Sequence, residues 1–277
     1  MGLRISTNIP SLQSQTSLSK VTRETADSSA KLSSGKRILK AADDAAGLAI
    51  SEKLNAEIRS SKQANRNAND GLSLVQVAEG GLTESSNILI RMRELGMQAA
   101  SDSLSDSDRS KSNLEYNQLK DELERISQST EFNGRKLLNG SGSQLDFHVG
   151  VGDHSSDDQI SYNSQSINSG VQSLGVSSLS LHSKLSAQEG LANIDSAINK
   201  VSSHKATLGS IQNRLITSSN NLSVYHENMS AANNRIRDLD YAEESATQAR
   251  NSILGDANTA VMAQANTSGQ IALKLVN

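Results

Sequence analysis

Residues 208–239 read LGSIQNRLITSSNNLSVYHENMSAANNRIRDL. Large or small apolar side chains recur at alternating spacings of three and four: Leu208, Ile211, Leu215, Ser218, Leu222, Tyr225, Met229, Ala232, Ile236 and Leu239. That period lays one stripe along an α-helix and turns it toward a second helix. The stripe extends backward through Leu191, Ile194, Ile198 and Val201. It extends forward through Ala242, Ala246, Ala249, Ile253, Ala257 and Ala260 to the closing run QIALKLVN. One helix from about 185 to 254 would span about 105 Å at ~1.5 Å per residue. The N-terminal segment repeats the pattern at Leu18, Val21, Thr25, Ser28 and Leu32. Two amphipathic ends without terminal polar tails imply a subunit whose ends are covered by its neighbours.

Composition agrees with thin helix-on-helix seams. Of 277 residues, 35% are hydrophobic and only 2% aromatic, with two Phe and no Trp. Aromatic side chains usually supply much of a thick core, and here they are too few. The single proline, Pro10, leaves the later helical pattern uninterrupted. Net charge is −3, so neither nucleic acid nor an anionic membrane is a partner that bulk charge selects. The first forty residues are locally basic (Arg4, Lys20, Arg23, Lys31, Lys36, Arg37 and Lys40). No aromatic interleaves them to stack bases, which favours a solvated helix face.

The remaining helices follow from the same period. A turn is expected at LSSGKRI around Gly35, and a helix restarts in KAADDAAGLAISEKL with Asp43 and Asp44 in its first turn. The stripe Ala68, Leu72, Val75, Ala78, Leu82, Ser85, Leu89, Met92, Gly96, Ala99 carries that helix to about Ala100. After the polar SDSLSDSD turn, Tyr116, Leu119, Leu123, Ile126 and Thr130 mark another inner face. The period then changes. Leu145, Phe147, Val149 and Val151 alternate with polar residues, predicting a half-buried strand with Ile160 and Tyr162 as hairpin partner. The Ser/Gly/Asn-rich residues 163–185 read as a surface connection. The fold class is therefore mainly α: an elongated antiparallel helical bundle or coiled coil with a small β-hairpin near 141–165.

No catalytic constellation emerges. His148, His154, His182, His204 and His226 lack metal-ligand spacing, and there is no cysteine. Gly150-Val151-Gly152 lacks the rest of a dinucleotide turn, and no phosphate loop or nucleophile elbow is present. Asp43 and Asp44 are adjacent and point to different sides of a helix. Neither enzyme activity nor a metal or cofactor is expected. No segment has the apolar length of a membrane span or a cleaved signal, which on general rules reads as cytosolic.

The stretch from Lys31, KLSSGKRILKAADDAAGLAISEKLNAEIRSSKQANRNANDGLSLVQVAEGGL, resembles the N-terminal region of bacterial flagellins, as do IRMRELGMQAA and TEFNGRKLLNG. The segment from LGSIQNRL to QIALKL resembles the flagellin C-terminal region. The resemblance implies an inner coiled-coil domain, 1–44 with 234–277, lining a filament tube. It also implies an outer core rod, 45–233, carrying the hairpin. The middle, about Ser141–Ser186, is too short for the family's variable outer domains, so the chain is similar to a minimal flagellin. The implied assembly interface is Leu18, Val21, Leu32, Leu239, Ala242, Ala246, Ala249, Ile253, Ala260, Ile271 and Leu275. The implied partners are further copies of the chain, the flagellar type III export apparatus and an export chaperone, and the filament cap and hook-associated proteins. That route makes the protein secreted and extracellular, overturning the cytosolic reading. An animal Toll-like receptor is a further implied partner, through Arg91, Leu95 and Glu115. The family's helix usually has Ala where Gly96 stands.

Two other readings compete. A hook–filament junction protein shares similar terminal helices, while a chemoreceptor-like signalling coiled coil needs a hairpin tip where the NG-rich strand segment lies. The segments ANDGLSLVQVAEG, FNGRKLL and RIRDLDYAEE favour flagellin.

Overall fold

The computed structural model describes residues 7–154 and 157–276, with side chains described through Thr267. The order is α1 (Ile9–Ser34), α2 (Ala45–Ala99), α3 (Asp106–Ser129), β1 (Glu131–Phe132), β2 (Arg135–Lys136), β3 (Gln144–His148), β4 (Gln159–Asn163), α4 (Val171–Leu174), α5 (Lys184–Arg237) and α6 (Tyr241–Val276). Helices dominate, as the periodicity predicts. The chain divides into two compact units, residues 1–56 with 228–277, and residues 57–227.

In the first unit, α1 and α6 pair antiparallel. Asn8 caps α1 by accepting the Ser11 N–H, and its own amide donates to Ala265 O at 2.9 Å. At the other end, Gly35 takes φ +67°, where a glycine has no Cβ to clash, and its N–H closes α1 on Lys31 O. The expected continuous helix through 254 is instead broken at Asp238–Asp240. The Arg37 N–H donates to Arg237 O at 2.7 Å, and the Leu239 N–H donates to Gly35 O at 3.1 Å. These bonds take backbone groups that a continuous helix would have used internally. Asp240 then starts α6 by accepting the Ala242 and Glu243 N–H groups.

Asp43 and Asp44 precede α2 rather than occupying its first turn. Asp43 accepts the Leu39 and Lys40 N–H groups, each at 2.9 Å, which holds its carboxyl below the usual range. Asp44 accepts the Gly47 N–H at the helix start. Asp43 thus satisfies backbone donors before the helix, and Asp44 a donor in the first turn of the helix.

In the second unit, the predicted stripes of α2, α3 and α5 meet. Val75, Ala78, Leu82, Leu89, Met92, Tyr116, Leu123, Ile194, Val201 and Leu208 are fully buried. β3 and β4 form the expected hairpin, with Leu145 opposite Tyr162 and Phe147 opposite Ile160. The same face carries all four, and Tyr162 donates from its buried hydroxyl to Leu137 O at 2.7 Å. A second hairpin, β1–β2, was not expected beyond its Asn133-Gly134 turn. Its register is Glu131 with Lys136 and Phe132 with Arg135. Both turn residues have positive φ, at 50° and 75°.

The supposed surface connection is not one. Ile167, Val171, Leu174, Val176 and Leu181 are buried in the core of this unit. Ile167, Val171 and Leu174 keep helical spacing, but the run is short and Val176 and Leu181 fall outside it, so pattern reading passes over them. At the far turn, buried Arg109 donates to Ala99 O and Ser101 O and pairs with Asp106, closing the C-terminal end of α2.

Close approach depends on small residues in α2. A Cβ on Gly81 would lie 2.7 Å from Leu138 Cδ1 and from Thr130 Oγ1, whereas one on neighbouring Gly80 would meet open space. Gly80→Ala is expected to raise stability by up to ~1 kcal/mol through helix propensity. Gly81→Ala should lower it by ~1–3 kcal/mol through overpacking. Thermal melts of the two variants by circular dichroism check this, and equal shifts of the same sign would contradict the packing account.

Candidate assembly surface

The α1·α6 pair is joined by a seam of small and polar side chains. From α1, Ser14, Val21 and Ser28 are buried and Leu18, Thr25 and Leu32 are half-buried. From α6, Asn251 is buried, with Glu244, Gln248, Gly255, Asn258, Met262 and Ala265 half-buried. A Cβ on Gly255 would sit 3.8 Å from Val21 Cγ1, so these two residues face each other. Hydrogen bonds tie the seam along its length: Tyr241 Oη to Leu32 O, Gln248 to Ser29, and Ser11 to Asn266. Acidic Glu243 and Glu244 occupy the first turn of α6, where they favour its dipole.

The apolar stripe of α6 is on the other side. Ala242, Ala246, Ala249, Ile253, Ala257 and Ala260 are all exposed, Ile253 at 69%. At ~100° per residue, positions 242, 249, 253 and 260 lie within about 20° of the point opposite Asn251. The stripe therefore does not meet α1 within the protomer. The reason is that α6 starts anew after the break, with its rotation set by Asp240 and Tyr241. Leu254 and Val261 are also exposed, at 44% and 55%, and Ile9 and Leu12 are exposed near the start of α1.

The residues singled out from sequence thus separate into groups. Leu18, Val21 and Leu32 lie in the intramolecular seam. Leu239 lies in the break, half-buried and tied to Gly35. Ala242, Ala246, Ala249, Ile253 and Ala260 form the uncovered face. Ile271 and Leu275 belong to the backbone of α6, but their side chains lie outside the described residues. The polar seam residues Gln248, Asn251 and Asn258 were not singled out, because a search for apolar periodicity discards them.

Arg91 and Glu115 come together in the second unit. Arg91 donates to Glu115 Oε1 from Nε at 3.0 Å and from Nη2 at 2.8 Å, and from Nη1 to Glu94 at 3.0 Å. The two carboxylates hold the guanidinium further toward its charged form, with Glu115 contributing most. Leu95 does not join them on the surface; it is 3% exposed and packs in the core. A Cβ on Gly96 would lie 3.1 Å from Leu191 Cδ2, so the glycine permits close approach of α5. Among the described residues, no cluster of His, Asp or Glu is placed to hold a metal, and no helix is long and apolar enough to cross a membrane.

The chain matches the bacterial flagellin N-terminal helical region over residues 5–143 and the bacterial flagellin C-terminal helical region over residues 191–276. It is 40% identical to the flagellin of Bacillus subtilis (strain 168), covering 99% of this chain and 100% of that one. It is also 40% identical to the flagellar filament 30.7 kDa core protein of Treponema maltophilum, covering 89% of this chain and 90% of the relative. The crystal structure of Bacillus cereus flagellin is similar at a TM-score of 0.50 and 32% identity, over 61% of this chain and 94% of that chain. A putative flagellar hook-associated protein from Vibrio parahaemolyticus gives a TM-score of 0.58 at 17% identity, covering 71% of this chain and 100% of the other, a likeness of fold alone.

The two faces of the helix pair predict opposite mutational responses. Ile253→Glu should change the thermal stability of the monomer by no more than about 0.5 kcal/mol, the usual range for an exposed site, yet abolish self-association. Val21→Glu should unfold the helix pair, because it places a carboxylate against Gly255 at a cost of ~1–3 kcal/mol or more. Circular dichroism melts and sedimentation velocity separate the two effects.

Proposed function

The chain belongs to the bacterial flagellin family, and from that premise we propose that it is a structural subunit polymerising into the extracellular flagellar filament. The observation that carries this reading is the uncovered α6 face. Five alanines and Ile253 stand on the side of the helix away from α1. Small side chains let neighbouring helices approach closely, and a polymer supplies such neighbours at every subunit. A monomer gains nothing from this arrangement, whereas a polymer gains the burial of the same strip on each added copy.

On this reading, the unit built on α1 and α6 lines the tube. The unit of residues 57–227 forms the outer core. The core of that second unit gives it independent stability, since fully buried Leu, Ile and Val side chains are worth roughly 1.5–3 kcal/mol each. The polar seam gives the first unit far less. Its helices therefore depend on neighbours for most of their stability, as helices of modest propensity generally do on packing. Export through the flagellar type III channel with a chaperone, and contact with the filament cap and hook-associated proteins, follow as the partners of such a subunit. Chemistry of an enzymatic kind is not part of the role.

Recognition by an animal Toll-like receptor would run through the exposed Arg91–Glu115 pair, with Leu95 supporting the helix from within. In a receptor reporter assay, Arg91→Ala should then lower the signal of the monomer without shifting its melting temperature. No signal from the unaltered chain at saturating protein would reject this contact.

Electron microscopy tests the main reading. The purified chain is expected to form long tubes when seeded. Deleting Leu254–Asn277 removes Ala257, Ala260 and Val261 from the exposed face and takes Gly255, Asn258 and Met262 from the seam. It should abolish tubes while residues 57–227 still melt cooperatively. Filaments of normal length from the truncated chain would show that α6 is not the assembly element.

A further inference from the structure

The uncovered strip of α6 consists of alanines and one large side chain, Ile253. Two such strips set face to face would bury little beyond methyl groups, so the large side chains that fill it come from another element. α1 carries them. Its inner stripe, Ser14, Leu18, Val21, Thr25 and Ser28, is spent on the seam with α6. A second stripe runs at spacings of three and four along its other side: Ile9, Leu12, Thr16, Ser19 and Arg23. At ~100° per residue these five lie within about 60° of the point opposite Val21. All five are exposed, Ile9 at 47% and Leu12 at 59%. The helix pair therefore shows two unlike outer faces, one with large apolar knobs and one with small residues.

Each outer face also holds a charge that the protomer leaves unused. Arg23 ends the α1 stripe, and its Nε donates to Ser19 O of its own helix at 3.3 Å. Exposed Glu243 borders the start of the α6 strip. Among the described residues, neither side chain is in an ion pair. Their spacing matches. Leu12 and Arg23 are eleven residues apart and Ile253 and Glu243 ten, which at ~1.5 Å per residue is about 16.5 and about 15 Å. Set antiparallel with Leu12 on Ile253, the two faces bring Arg23 to Glu243, Ser19 to Ala246 and Thr16 to Ala249. Set parallel, they would bring Arg23 to the uncharged Gln264.

We propose that the outer face of α1 in one copy docks antiparallel on the outer face of α6 in the next, with Leu12 against Ile253 and Arg23 against Glu243. This rests on the reading of the chain as a polymerising subunit and names what covers its exposed strip. The alanines leave room for Ile9 and Leu12 to seat as knobs into holes. Because unlike faces meet, the contact is heterologous. Every added copy offers a fresh α1 face and a fresh α6 face, so growth does not end at a dimer, as it would if α6 met α6 about a two-fold axis.

The chain has no cysteine, so introduced thiols report only the contacts they are placed to test. Full-length Leu12→Cys and Ile253→Cys chains are polymerised on seeds, separately and as an equal mixture, then oxidised. The mixture should give a covalent dimer whose disulfide, located by mass spectrometry, joins position 12 of one chain to position 253 of the other. Each variant alone should stay monomeric on a denaturing gel. Homodimers of Ile253→Cys, or tubes of the mixture without the 12–253 disulfide, overturn the docking while leaving the polymer reading intact. Failure of the unaltered chain to form tubes on the same seeds overturns both. Should the cysteine chains not assemble, a charge swap decides. Arg23→Glu and Glu243→Arg should each raise the critical concentration for tubes several-fold, and the two together in one chain should restore it. An unchanged critical concentration in the single variants, or no recovery in the double variant, rejects the Arg23–Glu243 pairing and with it the antiparallel seating.

Discussion

Three residues between α5 and α6 govern which side of α6 meets α1. Asp238, Leu239 and Asp240 leave the helix because the loop after α1 takes their neighbourhood's hydrogen bonds: Arg37 N–H to Arg237 O, Leu239 N–H to Gly35 O, and the Lys36–Asp238 bridge. Asp240 then caps a fresh helix. A helix restarted this way has a new rotation about its axis, and every side chain in its 36 residues inherits it. The seam with α1 becomes Gln248, Asn251, Gly255 and Asn258. The alanine stripe and Ile253 are left facing outward.

That rotation divides the molecule's energetics. The second unit buries large aliphatic side chains and two tyrosines, and it gains from area removed from water. The α1·α6 pair buries serine, asparagine and glycine, and is fastened by hydrogen bonds whose net worth is small because water competes for the same groups. A flagellin so arranged keeps a stable body and carries an exposed apolar strip on α6 of its terminal helix pair. Because the same face recurs on every copy, small contributions per residue accumulate along a polymer.

The segment 163–183 shows a different solution to covering a core. Without Asp, Glu, Lys or Arg of its own, it does not supply carboxylate–amine ion pairs. It is fastened by backbone groups to side chains on the helices it crosses. Backbone bonds of this kind are specific in geometry.

Much of this was legible in the sequence. The stripes of Ala68–Ala99 and Leu191–Leu222 determine which faces of α2 and α5 are buried, because a 3.6-residue period can satisfy only one face. The alternation of Leu145 and Phe147, and of Ile160 and Tyr162, determines which face of the hairpin is buried for the same reason at period two, while the register came with the structure. The closeness of Gly71 and Gly81 to Phe147 and Leu138, the burial of Ile167 and Leu174, and the burial of Leu95 away from the Arg91–Glu115 pair came only with tertiary structure. So did the outward turn of Ala242–Ala260. Periodicity reports that a face exists, but not what lies opposite it. The rotation of α6 depends on hydrogen bonds between Gly35–Arg37 and Arg237–Leu239, about two hundred residues apart in the chain, which no local pattern records.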